Sequence, residues 1–112
     1  MSTQQSTIDY LLGQIDGAGS IQAKKMFGEY GVYCDGKMIA LVCDDQLFLK
    51  PTEAGRNYLQ EVEEGLPYPG AKPWFYISED KWDDVLWLTE LIRVTVPEVP
   101  APKPKKPKRQ SP

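Results

Sequence analysis

The chain contains no histidine. That absence removes the commonest general base, the commonest metal ligand and the usual charge switch near neutral pH. Cysteine is nearly absent too. Cys34 and Cys43 are the only two, too few for a disulfide framework, which points to a reducing cytoplasm. A zinc site wants about four ligands, and two thiols without histidine do not supply them. No apolar run approaches the ~18 residues that span a bilayer, so no membrane association is expected. The stretch Met1 to Thr7 is polar and uncharged, unlike a secretory leader. No nucleophile, base and electrophile stand where they would converge, so the expectation is a protein that is not an enzyme, without cofactor or small-molecule substrate.

What is present bounds the rest. A chain of 112 residues is one domain, and 41% apolar residues bury a modest core. Charge is divided along the chain. Residues 1–96 hold 8 Lys/Arg against 15 Asp/Glu, whereas residues 97–112 hold 5 against 1. An acidic domain over 1–96 therefore precedes a basic tail over 97–112, rich in proline and lysine and without periodicity, expected to be disordered or polyproline-like.

The most informative stretch is Met26 to Lys50. Three short apolar runs are separated by Asp35-Gly36 and Asp44-Asp45. Asp-Gly between alternating apolar runs is a strong hairpin signal, because both central residues of the favoured turn need positive φ. Asp44-Asp45 is explained by the same turn chemistry, so a catalytic carboxylate pair is not needed to account for it. Two turns in series predict a three-stranded antiparallel meander. Counting back from the turns pairs Val32 with Ile39 and Leu41 with Phe48. One face then carries Gly31, Tyr33, Met38, Ala40, Val42, Leu47 and Leu49, assigned to the core. The other carries Tyr30, Val32, Cys34, Ile39, Leu41, Cys43 and Phe48. Strand side chains alternate, so both faces follow from the register. This register puts Cys34 and Cys43 on one face about 20 Å apart along the strands. That is beyond the ~7 Å Cα separation a disulfide allows, so free thiols are expected.

Helices flank the meander. Ile8, Leu11, Leu12 and Ile15 make one apolar stripe and predict a helix from about Thr7 to Asp16, capped by Ser6 and stopped by Gly17. Gly17 to Gln22 reads as a loop. Thr52 caps a second helix that runs to about Glu64, with Gly55 a weak point inside it. Leu66 to Pro73 is a Pro/Gly loop, and Trp74 to Ile77 a fourth strand. Ser78 caps a third helix from Glu79 to about Val94. The expected architecture is α+β in two layers, in the order α-β-β-β-α-β-α, with helices on one face of an antiparallel sheet formed by the meander and a fourth strand.

Two features suggest contacts beyond the fold. The second sheet face is apolar at its centre, and the third helix bears Trp87, Leu91 and Val94 in addition to the stripe that packs it. Apolar excess of this kind marks a partner surface or is covered within the chain. Read as an interface, the candidates are Tyr30, Val32, Ile39, Leu41, Phe48, Trp87 and Leu91, contacting a protein partner or a second copy in a homodimer. In the tail, Lys103, Lys105, Lys106, Lys108 and Arg109 suit weak, sequence-blind nucleic-acid binding, since cations without base-edge readers carry no specificity. Lys24-Lys25 ahead of the meander reads as an ordinary basic surface or as a positive lip for an anion. Phe27 reads as a core anchor there, with Gly28 and Gly31 allowing tight backbone turns or bulges.

The run Lys24-Lys25-Met26-Phe27-Gly28-Glu29-Tyr30-Gly31-Val32-Tyr33, followed by Asp35-Gly36-Lys37, resembles the N-terminal domain of the TfoX/Sxy family. The likeness continues through Leu41-Val42, Leu47-Phe48-Leu49-Lys50 and Thr52-Glu53-Ala54 to the last helix, about residues 8 to 95. It implies a small α/β module without established enzymatic activity, associated with regulation of natural competence. Full-length competence regulators carry a second, C-terminal domain where this chain has its Lys/Pro tail. Lys25 stands where arginine is common.

Overall fold

In the computed structural model, which describes residues 3–26 and 29–100, both turns form as the sequence predicts. Asp35 and Gly36 have φ of 54° and 84°, and Asp44 and Asp45 have 54° and 60°. Positive φ at both central residues matches the twist of the flanking strands. Phe27 and Gly28 lie outside the described residues.

The chain folds in the order α1 (Gln5–Ile15), β1 (Ile21–Met26), β2 (Glu29–Cys34), β3 (Lys37–Cys43), β4 (Gln46–Leu49), α2 (Glu53–Leu59), β5 (Glu64–Gly65), β6 (Trp74–Ile77) and α3 (Val85–Thr95). Six strands form an antiparallel sheet in the order β1-β2-β3-β4-β6-β5. The α+β class and the two-layer arrangement are those the sequence implied. The fourth strand expected at Trp74 to Ile77 is β6. It is inserted between β4 and the two-residue β5, with Phe75 opposite Leu49.

Several boundaries differ from expectation. The segment read as a loop and a basic lip contains β1, an edge strand whose Gln22, Lys24 and Lys25 face solvent. Its polar outer residues hide the alternation, and such residues protect a sheet edge from unwanted pairing. α1 starts at Gln5, and no side chain of its own N-terminal residue caps it. α2 stops at Leu59, where Gln60 turns to φ 66°. Thr52 caps α2 as expected, its hydroxyl accepting from the Gly55 amide at 2.9 Å. The long third helix is two pieces. Glu79–Lys81 is a 3₁₀ turn, and α3 begins after Asp84, whose carboxylate accepts from the Trp87 amide at 3.2 Å.

The largest correction concerns the faces of the sheet. Val32 pairs with Ala40 while Tyr33 pairs with Met38, leaving Ile39 as an extra residue in β3. A bulge of this kind shifts the alternation by one position. Tyr30, Val32 and Cys34 therefore lie on the same side as Ala40, Val42, Leu47 and Leu49. Together with Ile39 they make the main core with Ile8, Leu11, Phe75, Leu88, Leu91 and Ile92. Gly31, Tyr33 and Met38, expected inside, take the outer face. Cys34 and Cys43 are free thiols as expected, but they sit in different clusters on opposite faces.

Burial continues past residue 96. Val96–Glu98 forms a 3₁₀ turn, and Val99 packs in the main core. Lys37 Nζ donates to the Val96 carbonyl at 3.2 Å, and Glu98 accepts from the Ala54 amide at 3.1 Å. These bonds fix the end of the helical layer to the sheet end where β3 begins.

Candidate functional site

The outer sheet face has its own smaller cluster. Leu41, Cys43 and Phe48 are buried there, with Met26, Met38, Trp74 and Tyr76 packed around them. Alternation after the bulge puts Leu41 and Cys43 outward on β3, and Phe48 outward on the paired β4. The Phe48 and Tyr76 rings lie 5.7 Å apart, tilted by 49°. Gly65 packs closely beside them, since a Cβ there would stand 3.0 Å from the Phe48 ring.

No helix among the described residues covers this face. The loop between β5 and β6 turns back over it instead. Gly70 has φ 86°, and the Ala71 amide donates to the Tyr68 carbonyl at 3.1 Å, closing a turn. Pro67, Tyr68 and Pro69 thereby become one wall of a groove. The floor and the other walls are Met26, Met38, Leu41, Cys43 and Trp74, with Glu29 at one end. The groove holds about 570 Å³ and is lined chiefly by apolar atoms. By register it runs along β3, from Met38 and Trp74 at one mouth to Cys43, Met26 and Glu29 at the other. Tyr68 in the wall and Leu66 just beyond it are 56% and 55% exposed, which extends the apolar area outward.

The polar groups at the far mouth are committed to structure. Glu29 Oε1 accepts from the Thr3 hydroxyl at 2.6 Å and from the Asp44 amide at 3.0 Å. The Cys43 thiol is pushed up to about 11, first by burial and then by the charge of Glu29. It is neutral at pH 7 and lacks the positive neighbour that makes a reactive thiolate. The groove thus offers adaptable apolar surface, two aromatic rings and one carboxylate. That inventory suits binding an extended segment.

A second concavity, lined by Tyr10, Glu79, Asp80 and Asp83, is open and polar. The Tyr10 hydroxyl donates to Asp83 there. That bond, burial and the charges of Asp83 and Glu79 raise its pKa. Its residues tie α1 to the start of α3.

Of the residues read from the sequence as a partner surface, Leu41 lines the groove and Phe48 lies in the outer cluster beside it. Tyr30, Val32 and Ile39 are buried in the main core instead, because the bulge turns them under the helices. Leu91 is fully buried in the same core. Trp87 is half-buried, with its ring 5.8 Å from that of Tyr58, whose hydroxyl donates to the Trp87 carbonyl at 3.0 Å. Most of the extra stripe on the last helix is thus covered within the chain. Lys103, Lys105, Lys106, Lys108 and Arg109 lie outside the described residues. Sequence reasoning missed Met26, Met38, Tyr68 and Pro67 as groove residues. The one signal for the wall was Leu66-Pro67-Tyr68-Pro69, a large aromatic held between two prolines in a segment otherwise read as a connector.

The family model of the TfoX N-terminal domain matches residues 13–98. The chain belongs to the TfoX N-terminal domain family. The matched span runs from within α1 to the 3₁₀ turn after α3, so this TfoX-type domain includes all six strands and every groove residue named above. The chain is also similar, at 38% identity over 112 residues, to the "Uncharacterized 12.7 kDa protein in trpE 5'region" of Spirochaeta aurantia. That alignment covers 100% of this chain and 96% of the relative. No described helix of the TfoX-type domain is long and apolar enough to cross a membrane.

Proposed function

We propose that this TfoX N-terminal-type domain is a non-enzymatic protein-interaction module with a regulatory role of the kind associated with natural competence. The partner contributes an extended, proline- and leucine-rich segment that lies in the groove on the outer sheet face. One observation carries the reading. The helices among the described residues cover one side of the sheet, and the other side presents an apolar trough walled by Trp74, Tyr68 and two prolines. Methionine side chains adapt their shape to different ligands, and aromatic-lined grooves receive polyproline-type segments that lose little entropy on binding. The regulatory part of the reading rests on membership of the TfoX N-terminal domain family.

Titration of the isotope-labelled protein with a short alternating proline–leucine peptide tests this. Amide and indole resonances of Leu41, Cys43, Tyr68 and Trp74 are expected to move together, while those of α1 and α3 stay still. Shifts that are absent, or that are strongest on the helical side, would overturn the assignment of the groove.

A further inference from the structure

The groove has a candidate occupant within the same chain. Val99 is anchored in the core at the end of the sheet where β3 begins, held there by the Lys37–Val96 and Glu98–Ala54 hydrogen bonds. Met38 and Trp74, which form the near mouth of the groove, stand at that same end. Residues 101–109 follow directly, and they are mainly proline and lysine. We infer that residues 101–109 pass around this end of the sheet and lie along the groove in an extended, polyproline-type path, as the segment's own intramolecular ligand. The inference rests on the reading of the groove as a peptide site.

Length, direction and charge each support it. Passing from one layer to the other takes about 10 Å, and β3 from Met38 to Cys43 spans about 17 Å. A polyproline path over residues 101–109 covers about 28 Å at about 3.1 Å per residue, so the segment reaches the far mouth. Lys50 stands at the sheet end of the near mouth, its amide donating to the Ile39 carbonyl. Pro100, Ala101 and Pro102, which are uncharged, would pass there. The far mouth carries Glu29 and the exposed Asp44, where Lys106, Lys108 and Arg109 would arrive.

The test uses the full chain with a nitroxide attached at Ser111→Cys, the two natural thiols being buried. Selective broadening of the Glu29, Cys43 and Asp44 amides is expected, unchanged on tenfold dilution. A second full-length protein reverses Lys105, Lys106, Lys108 and Arg109 to glutamate. It should lose the broadening and bind the proline–leucine peptide roughly tenfold more tightly, because a groove open one time in ten weakens an external ligand by that factor. Broadening that grows with concentration would mean the segment of a second copy is the occupant and would overturn the intramolecular assignment. No broadening, with the peptide still moving the groove resonances, would also overturn it while leaving the groove reading intact. If the peptide moves nothing even in the charge-reversed protein, both fail.

Discussion

The Asp45 carboxylate lies 2.8 Å from the Thr7 hydroxyl and 2.9 Å from the Gln4 amide nitrogen. A turn residue of the sheet thus supplies the N-terminal cap that α1 lacks. Thr3 closes the arrangement, its hydroxyl donating to Glu29 and accepting from the Asp45 amide at 3.2 Å. Asp45 also holds positive φ, which asparagine tolerates and alanine does not. Asp45→Ala should therefore cost about 2 kcal/mol, a lost cap plus backbone strain. Asp45→Asn should cost less than about 1 kcal/mol, since its amide oxygen still accepts. Urea unfolding midpoints of the two variants give the comparison.

The inverted faces of the sheet can be checked by truncation. Ile39, the extra residue of the bulge, is fully buried beneath the helices. Ile39→Ala is expected to lose about 2–4 kcal/mol. Leu86 is 84% exposed on α3, and Leu86→Ala should change stability by less than about 0.5 kcal/mol. Equal effects at the two positions would contradict the register described here.

Gly55 is a weak helix former placed inside α2 for want of space. A Cβ there would stand 2.9 Å from Thr52 Oγ1, the capping oxygen, and 3.4 Å from Thr95 Oγ1. Alanine would gain about 1 kcal/mol in helix propensity. It would also displace the cap and crowd the α2–α3 contact, at about 2–3 kcal/mol together. A net loss of about 1–2 kcal/mol is expected, and a more stable Gly55→Ala protein would refute the packing argument.

Alkaline stability should reflect Cys43. Its pKa is raised from 9.0 to about 11 in the folded state, so between those values the unfolded chain has lost a proton that the native protein keeps. Fewer protons on the unfolded state mean that stability falls as pH rises. The contribution is fully present below pH 9 and is lost on passing through pH 11. Cys34 and Tyr58, also raised mainly by burial, act in the same direction. Urea midpoints between pH 8 and 11 in reducing buffer should decline, less steeply in Cys43→Ala than in the parent. Identical slopes would show that this thiol does not contribute.

The parts of the fold legible in the sequence were those governed by local chemistry. Asp35-Gly36 and Asp44-Asp45 require positive φ, and Thr52 caps a helix wherever it stands before one. What escaped depends on distant contacts. Nothing near Ile39 announces a bulge, because Met38, Ile39, Ala40 and Leu41 are all apolar and any register keeps such a run buried on one side or the other. The edge strand β1 was obscured by Lys24 and Lys25, which defend an edge and thereby resemble a loop. Asp84 displaced Ser78 as the cap of α3 by accepting from the Trp87 amide, a choice two acceptable capping residues leave open. Leu41 was legible as part of the second apolar sheet face. Tyr68 was not, since its contact with that face depends on a loop folding back.

The cap on α1 also orders events during synthesis. The eleven residues of that helix are synthesised well before Asp45, and a helix this short is marginal in water by itself. The nascent amino terminus therefore waits for the second hairpin to close before it can dock, and the first element of the chain is among the last to be completed.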